Sequence, residues 1–328
     1  MYEDFYGLRE RPFDLLPNPR FLYLAGRHRE AFSNLRYGLT VPKGLTLLIG
    51  DAGTGKTTLV QSALALVDQA NVECVPLSNP TLTRDEFYEF LAAGFGLEGA
   101  AAASKTRFLF ELRRHLESRH EAGHLSALVI DEAQSLPYEL LEEVRLLSNI
   151  ETTTDKLLNV VLVGQPELAA RLNEPGLRQL KQRIALRCEL GPLDSSEAAA
   201  YIAGRLRIAG GDPASIFSRE AVLAIHDSAR GIPRTINVIC DNALIGGFAA
   251  QTKPVLRAMV EEVCRDFDLN QKTTPSSSGA AAAETPVHEL ETHRATRSSR
   301  EGRTGQSAGT DEMFGAFARK KRFSFFRA

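Results

Sequence analysis

Residues 50–57 read Gly50-Asp51-Ala52-Gly53-Thr54-Gly55-Lys56-Thr57, and the apolar run 45–49 leads into them. This spacing is the pattern of a phosphate-binding loop between a strand and a helix. Glycines let the backbone fold tightly around phosphates, and the first amides of the next helix point toward negative charge. The pattern therefore predicts a site for a nucleoside triphosphate. The alternative is a glycine-rich turn that joins a strand to a helix and binds nothing.

Individual residues of this loop have expected roles in binding ATP and Mg²⁺. Lys56 is expected to reach the β- and γ-phosphates, and Thr57 is expected to offer its hydroxyl to Mg²⁺. The helical run 59–66 that follows contains no proline, which is the context that the motif requires. The predicted nucleotide-binding residues are Gly50, Asp51, Ala52, Gly53, Thr54, Gly55, Lys56, Thr57 and Thr58.

A second chemical signal lies where the apolar run 125–130 ends in Asp131-Glu132-Ala133-Gln134. An acid at the end of a buried strand is costly unless it serves a cation. We expect Asp131 to hold Mg²⁺ through water beside Thr57, and Glu132 to orient the attacking water. The alternative is that the two acids only cap the following helix, since acids favour helix N-termini.

Length and composition are those of a globular enzyme. The chain has 328 residues, of which 43% are hydrophobic and 24% charged, and it is long enough for two domains. A net charge of −2 excludes a globally basic coat for nucleic acid but allows local basic patches. The four cysteines are far apart and show no paired metal-ligand spacing, so we expect unpaired buried thiols in a reduced compartment.

The predicted location is the cytoplasm. No stretch approaches the roughly 20 apolar residues that cross a bilayer, and residues 1–11 lack the apolar core of a signal peptide. From residue 270 onward Thr, Ser, Ala and Gly dominate, which predicts disorder. The last ten residues, 319–328, interleave basic and phenylalanine side chains, which could give weak contact with the inner membrane, dock a partner, or only keep the tail soluble.

Strand and helix patterns alternate between residues 43 and 192 and predict an α/β fold, a five-stranded parallel sheet covered by helices on both faces. Ligands of such sheets bind at the carboxyl ends of the strands. Strands are predicted at 45–49, 72–77, 125–130, 158–163 and 184–190. Helices are predicted at 27–38, 59–66, 84–95, 106–120, 137–148 and 166–183.

Two further regions flank this α/β core. The aromatic and proline-rich stretch 2–19 predicts an extended arm laid over the domain rather than a helix. Strand signals stop at Gly191-Pro192, and a helical lid is predicted with helices at 195–209, 218–229, 233–249 and 253–267. The predicted organisation is an arm and lead-in helix at 1–42, the P-loop core at 43–192, the lid at 193–268 and a disordered tail at 269–328.

Several short motifs are spread over roughly residues 1–267. They are Phe5-Tyr6-Gly7-Leu8 with Pro12-Phe13, Phe21-Leu22-Tyr23-Leu24 with His28-Arg29-Glu30-Ala31, Asp131-Glu132-Ala133-Gln134, Leu146-Leu147-Ser148-Asn149, Val163-Gly164-Gln165-Pro166-Glu167-Leu168 and Gly231-Ile232-Pro233-Arg234. With the order of core and lid, these motifs resemble the AAA+ ATPases, and in detail the ExeA type, the ATPases of general secretion pathway protein A and relatives linked to polysaccharide export and exosortase systems. We expect no counterpart here of the membrane span and peptidoglycan-binding part known from that family.

The resemblance also implies roles for residues outside the loop. Gln165 occupies the place of a polar residue that senses the γ-phosphate and helps to position water, where many relatives have Asn. Arg234 matches a lid arginine that contacts the γ-phosphate. Arg183 resembles the arginine finger that a neighbouring subunit inserts into the site, with Arg178 and Arg187 as competitors. The alternative is that these arginines are solvated surface charges. The family further implies a ring-like homo-oligomer.

Three functions remain open from the sequence. The first is an ATPase that supports envelope secretion or polysaccharide-export assembly, with Glu132, Lys56, Gln165, Arg183 and Arg234 as its catalytic residues. The second is a DNA-binding AAA+ regulator similar to transposition target-selection ATPases. The third is a slow nucleotide-gated scaffold. A DNA path could be lined by Arg107, Arg113, Arg114, His115 and Arg119, although a solvated helix face explains the same pattern.

Overall fold

The structure, a computed structural model, describes residues 1–16, 18–78, 80–99 and 104–269. The tail predicted to be disordered, with its basic and phenylalanine-rich end, lies outside the described residues from position 270 onward. A parallel sheet of five strands in the order β2-β3-β4-β1-β5 forms the centre of the described chain. Its strands are β1 Leu45–Gly50, β2 Val72–Leu77, β3 Leu125–Ile130, β4 Asn159–Gly164 and β5 Ile184–Leu190.

The strands differ in burial according to their place in the sheet. Every residue of β1 and β4 is buried, because these central strands are covered on both faces. The edge strands β2 and β5 alternate between buried and more exposed positions. All five predicted strands are therefore confirmed, with ends within one residue of the prediction.

Helices cover both faces of the sheet and continue into a helical lid. One apolar core packs α4, α5 and α6 on one face, and a second packs α2 and α3 on the other. The helices are α1 Glu3–Tyr6, α2 Gly26–Thr40, α3 Lys56–Leu66, α4 Arg84–Gly94, α5 Lys105–Glu121, α6 Tyr138–Leu147, α7 Pro166–Arg171, α8 Arg178–Lys181, α9 Ser195–Ile208, α10 Pro213–Ile216, α11 Arg219–Ala229, α12 Pro233–Ala249 and α13 Arg257–Asp266.

The single helix predicted at 166–183 is wrong. Helix α7 ends at Arg171, a short 3₁₀ turn follows at Pro175–Leu177, and α8 then begins at Arg178. Pro175 cannot donate a backbone hydrogen bond and clashes with the preceding turn, so a continuous helix is not available there. After this break and the short helix α8, the chain enters β5 at Ile184.

The lid shares its apolar core with the N-terminal arm. Tyr2, Tyr6 and Phe13 are buried among lid side chains, and the Tyr2 hydroxyl donates to Asp241 Oδ1 at 2.5 Å. The expectation of a wholly extended arm is wrong at α1, because two acids in its first turn favour the helix and Gly7, at φ 72°, ends it. The arm is thus structurally a part of the lid.

The α/β core and the lid belong to one compact unit. The boundary at residues 192 and 193 remains a prediction, although β5 ends at Leu190 and α9 begins at Ser195. The short helix α10 was not predicted, and Asp212 caps it by accepting from the Ala214 amide at 3.4 Å. No helix among the described residues is long and apolar enough to cross a membrane.

Candidate nucleotide-binding site

The loop after β1 has a backbone that requires glycine at two positions. Gly53 and Gly55 have φ values of 82° and 96°, in the left-handed region that other residues rarely adopt. A Cβ on Gly50 would lie 2.8 Å from Thr54 Oγ1, so this glycine is required by close packing instead. The loop is therefore a compact, glycine-dependent turn that ends where α3 begins at Lys56.

Lys56 is a buried cation at the start of α3, with 5% of its surface exposed. Its Nζ donates to the carbonyl oxygens of Gly50 at 2.8 Å and Asp51 at 3.0 Å. Burial lowers the pKa of Lys56, while the nearby Glu132 and Asp131 carboxylates act in the opposite direction. The ammonium thus lies among carbonyl and carboxylate oxygens that stabilise its charge.

Thr57 and Asp131 meet at the carboxyl ends of β1 and β3. Thr57 Oγ1 donates to Asp131 Oδ2 at 2.8 Å, although the two residues are far apart in the sequence. A hydroxyl and a carboxylate oxygen at this distance are the hard donors that Mg²⁺ prefers. These two residues fit a magnesium site that also involves nucleotide phosphates.

Glu132 and Gln165 also come together at this edge of the sheet. Gln165 Nε2 donates to Glu132 Oε2 at 3.3 Å, and the backbone amide of Glu132 donates to Asp131 Oδ1 at 2.9 Å. Glu132 adopts the left-handed region with φ 53°, which is uncommon for a residue other than glycine. Both carboxylates after β3 are thus fixed by neighbouring amides.

Arg234 contacts the phosphate loop through its backbone. Its amide donates to Gly53 O at 3.1 Å, and a Cβ on Gly53 would lie 2.9 Å from Arg234 Cβ. The turn before α12 is tight, since Gly231 has φ 71° and Leu193 N donates to Gly231 O at 2.8 Å. The lid therefore lies directly on the loop.

A cavity of about 470 Å³ joins the arm, the loop and the lid. This size suits a small organic ligand rather than a macromolecule. The cavity is lined by Glu132 and Gln165 near the sheet, by Arg234, Tyr201, Arg205 and Asn237 from the lid, by Leu16, Phe21, Leu22, Tyr23 and His28 from the N-terminal region, and by the loop residues Ala52 to Thr58.

His28 is a cavity residue to which the sequence analysis assigned no role. Only 6% of its surface is exposed, and its Nε2 lies 3.1 Å from Thr54 O. A carbonyl oxygen only accepts, so Nε2 donates to Thr54 O. The motif His28-Arg29-Glu30-Ala31 contained this residue, but nothing in its spacing indicated a contact with the loop.

Arg205 was not identified from the sequence either, and it links the arm to the lid. Its Nε donates to Pro12 O at 2.5 Å and its Nη1 donates to Tyr201 Oη at 2.7 Å. Tyr201 Oη in turn donates to Asn237 Oδ1 at 2.8 Å, on the same helix as Arg234. This chain of hydrogen bonds connects the arm to the lid helix that touches the loop.

The arginines predicted to serve a neighbouring subunit lie away from the cavity. Arg183 is half-buried between α8 and β5, and none of Arg178, Arg183 and Arg187 lines the cavity. Arg187 Nη2 lies 3.9 Å from Glu189 Oε2. A finger role for any of them therefore stays a prediction about assembly.

Most of the basic residues on the predicted DNA path are paired with carboxylates. In α5 the guanidinium groups of Arg113 and Arg114 lie 2.7 and 2.5 Å from Glu117 and Glu111. His115 Nε2 and Arg119 Nε lie 2.8 and 3.4 Å from Glu73 Oε2, in β2. These pairs reduce the positive potential that a phosphate backbone requires, which favours a solvated helix face.

Sequence comparisons find one family match and two curated relatives of this chain. Residues 40–172 match the family described as AAA domain. General secretion pathway protein A of Aeromonas hydrophila is 44% identical over 250 residues, 76% of this chain and 45% of that protein. The Mu-like prophage FluMu DNA transposition protein B of Haemophilus influenzae is 29% identical over 154 residues, 47% of this chain and 48% of that protein. The chain spans about half the length of these curated relatives.

Solved structures share the fold at low sequence identity. The Aeropyrum pernix ORC2 protein, in its ADPNP-ADP complexes, aligns with a TM-score of 0.58 and 17% identity over 78% of this chain and 71% of its own. Drosophila ORC bound to DNA aligns with a TM-score of 0.59 and 19% identity over 79% of this chain and 65% of its own. These comparisons show an AAA domain at residues 40–172, a similarity to general secretion pathway protein A over 76% of the chain, and a fold shared with the solved structures.

Proposed function

We propose that this chain binds ATP with Mg²⁺ and hydrolyses it to ADP and phosphate. The observation that carries the proposal is the hydrogen bond between Thr57 and Asp131, with Glu132 beside it on the cavity that the loop lines. Hydrolysis breaks the bond between the γ-phosphorus and its bridging oxygen, and a water oxygen replaces the bridge. The barrier falls mainly through positioning and stabilisation of charge.

The loop would hold the phosphates. Backbone amides from Gly53 to Thr58 lie in the loop and in the first turn of α3, where the helix dipole favours negative charge. Lys56 would exchange its contacts with Gly50 and Asp51 carbonyls for phosphate oxygens. Thr57 and Asp131 would hold Mg²⁺, which supplies neutralisation of negative charge on the phosphates when it is bound.

Glu132 would orient the attacking water, because its carboxylate lines the cavity close to Lys56. Gln165 would share this task through its contact with Glu132. Arg234 would add positive charge to the site from the lid. Its contact with the nucleotide would also couple the position of the lid to the nucleotide that is bound. Arg183 of a neighbouring copy would complete the site in a ring-like homo-oligomer, which makes hydrolysis depend on assembly.

The pathway we propose is envelope secretion or polysaccharide-export assembly, served from the cytoplasm or the inner-membrane surface. It is supported by the 44% identity to general secretion pathway protein A, which extends over 76% of this chain. The other components of such a system would be the partners of this ATPase.

The test uses two substitutions that separate binding from hydrolysis. Lys56→Ala should abolish ATP binding, because it removes the cation that faces the phosphates. Glu132→Gln should keep binding and lose phosphate release, because the amide keeps the shape but not the charge. Nucleotide affinity and phosphate release are measured for both. Equal turnover of wild type and Glu132→Gln would contradict the proposed mechanism.

A second candidate function is DNA-dependent regulation of the transposition type. It is favoured by the 29% identity to DNA transposition protein B, but that match covers less of the chain, and the α5 cations are mostly paired. Turnover that rises on addition of DNA would favour it. Tight nucleotide binding with negligible turnover would favour the third candidate, the nucleotide-gated scaffold.

A further inference from the structure

Gln134 joins the two polar residues that face the reacting end of the site. Its Nε2 donates to Glu132 Oε2 at 2.5 Å, and its Oε1 accepts from the backbone amide of Gln165 at 3.0 Å. One side chain in the loop after β3 therefore links the Glu132 carboxylate to the end of β4.

The chemistry of this link requires a side-chain amide. Glu132 as a carboxylate only accepts hydrogen bonds, and a backbone N–H only donates. A side chain that serves both must offer a donor and an acceptor a short distance apart, as Gln does. Gly164 leaves the space, since a Cβ there would lie 3.0 Å from Gln134 Oε1.

The backbone of this loop is held from α7. Arg171 Nη1 donates to Gln134 O at 2.6 Å and to Leu136 O at 2.8 Å. The loop is thus fixed, and the Gln134 side chain has a constant origin from which to reach Glu132. Glu132 itself has φ 53°, so the direction of its side chain differs from that of an ordinary extended or helical residue.

We propose that Gln134 is a positioning residue that holds the Glu132 carboxylate toward the nucleotide cavity. Gln165 contributes a weaker contact, at 3.3 Å, to the same carboxylate oxygen. Without Gln134 the carboxylate keeps its charge but can rotate away from the water that it orients. The inference rests on the proposed ATP hydrolysis and concerns a residue that does not itself contact the reacting atoms.

The experiment compares Gln134→Met with Gln69→Met in the full chain. Both changes replace an amide by an apolar side chain of similar length, but Gln69 is exposed after α3, outside the site. Loss of a hydrogen bond to a charged, catalytically oriented group should lower kcat of Gln134→Met by about 10- to 100-fold. KM and the dissociation constant of a fluorescent ATP analogue should stay within about twofold of wild type, because the phosphate loop is untouched. Gln69→Met should match wild type throughout.

A second variant and a folding measurement test whether a loss of turnover comes from misfolding. Gln134→Glu keeps an acceptor for the Gln165 amide but places a carboxylate against Glu132, so kcat should fall while nucleotide affinity persists. Thermal melting of all variants shows whether they are folded. If both Gln134 variants turn over at the wild-type rate, or lose affinity and kcat together, the positioning role is overturned.

Wild type, Lys56→Ala and Glu132→Gln separate this inference from the function on which it rests. If wild type hydrolyses no more ATP than Lys56→Ala, the proposed function fails. If wild type is active and Glu132→Gln is not, the function stands, and the Gln134 variants alone decide the inference.

Discussion

Single glycines decide how closely the lid can approach the phosphate loop. At Gly53 a left-handed φ of 82° coincides with the contact to Arg234, so both the backbone conformation and the space exclude a side chain. Gly55 has φ 96°, but a Cβ added there would meet open space, so only the backbone conformation requires glycine at this position. Two glycines of one motif thus act for different physical reasons.

Gly53→Ala is expected to weaken ATP binding by about tenfold or more, because left-handed strain of order 1–3 kcal/mol adds to the collision with Arg234 Cβ. Nucleotide titration measures the effect. The control is Gly246→Ala in α12, where no atom lies within 4 Å of the added Cβ. That change should leave binding unaltered and stabilise the helix. Unchanged affinity in Gly53→Ala would show that the lid contact is dispensable.

His28→Ala should lower both stability and nucleotide affinity. The imidazole is buried and donates to Thr54 O, so its loss costs about 1–2 kcal/mol of unfolding free energy and loosens the loop. Urea unfolding and nucleotide titration are the measurements. His124→Ala, at a half-buried position outside the cavity, is the control. If the two variants behave alike, His28 has no special role in the loop.

At the level of elements, the strands could be predicted because continuous apolar runs end in the chemical motifs. The break within the predicted helix 166–183 could not be predicted in this way. The apolar pattern of a helix continues across Pro175, whereas the helical backbone ends before it. His28, Gln134 and Arg205 were missed for another reason. Their partners are distant in sequence or depend on a loop conformation, and side-chain contacts of that kind leave no periodic pattern. The fold was therefore more predictable than the supporting contacts of the site.

Arg205→Met should destabilise the lid and the arm together. The guanidinium lies over the Phe21 ring at 4.9 Å and holds Pro12 O and Tyr201, so its removal costs about 2 kcal/mol and leaves a buried carbonyl unpaired. Thermal unfolding measures the loss, and limited proteolysis of the arm locates it. Arg207→Met, at an exposed position of α9, is the control. An arm that stays protected in Arg205→Met would contradict the link.

The described part of the chain combines a sheet, which has the polar residues of the site at the carboxyl ends of its strands, with a lid whose apolar core includes the N-terminal arm. Because the cavity lies between these parts, movement of the lid would change the shape of the site. The resemblance could be recognised from motifs spread over the chain, and the 44% identity to general secretion pathway protein A agrees with it. The solved structures agree with the predicted fold. Assembly into a homo-oligomer also concerns the molecule as a whole, since it requires a site formed between two copies of the chain.

If a neighbouring copy supplies Arg183, hydrolysis should depend on protein concentration. Arg183→Ala and Lys56→Ala should each be inactive alone, the first for lack of the finger and the second for lack of phosphate binding. Mixing them should restore part of the activity, because some interfaces then pair an intact loop with an intact arginine. Phosphate release is followed across mixing ratios, with Arg187→Ala as a matched control from β5. Full activity of Arg183→Ala as a dilute monomer would exclude the trans arrangement by Arg183. An Arg187→Ala variant that is inactive alone but recovers activity on mixing with Lys56→Ala would assign the finger to Arg187 instead.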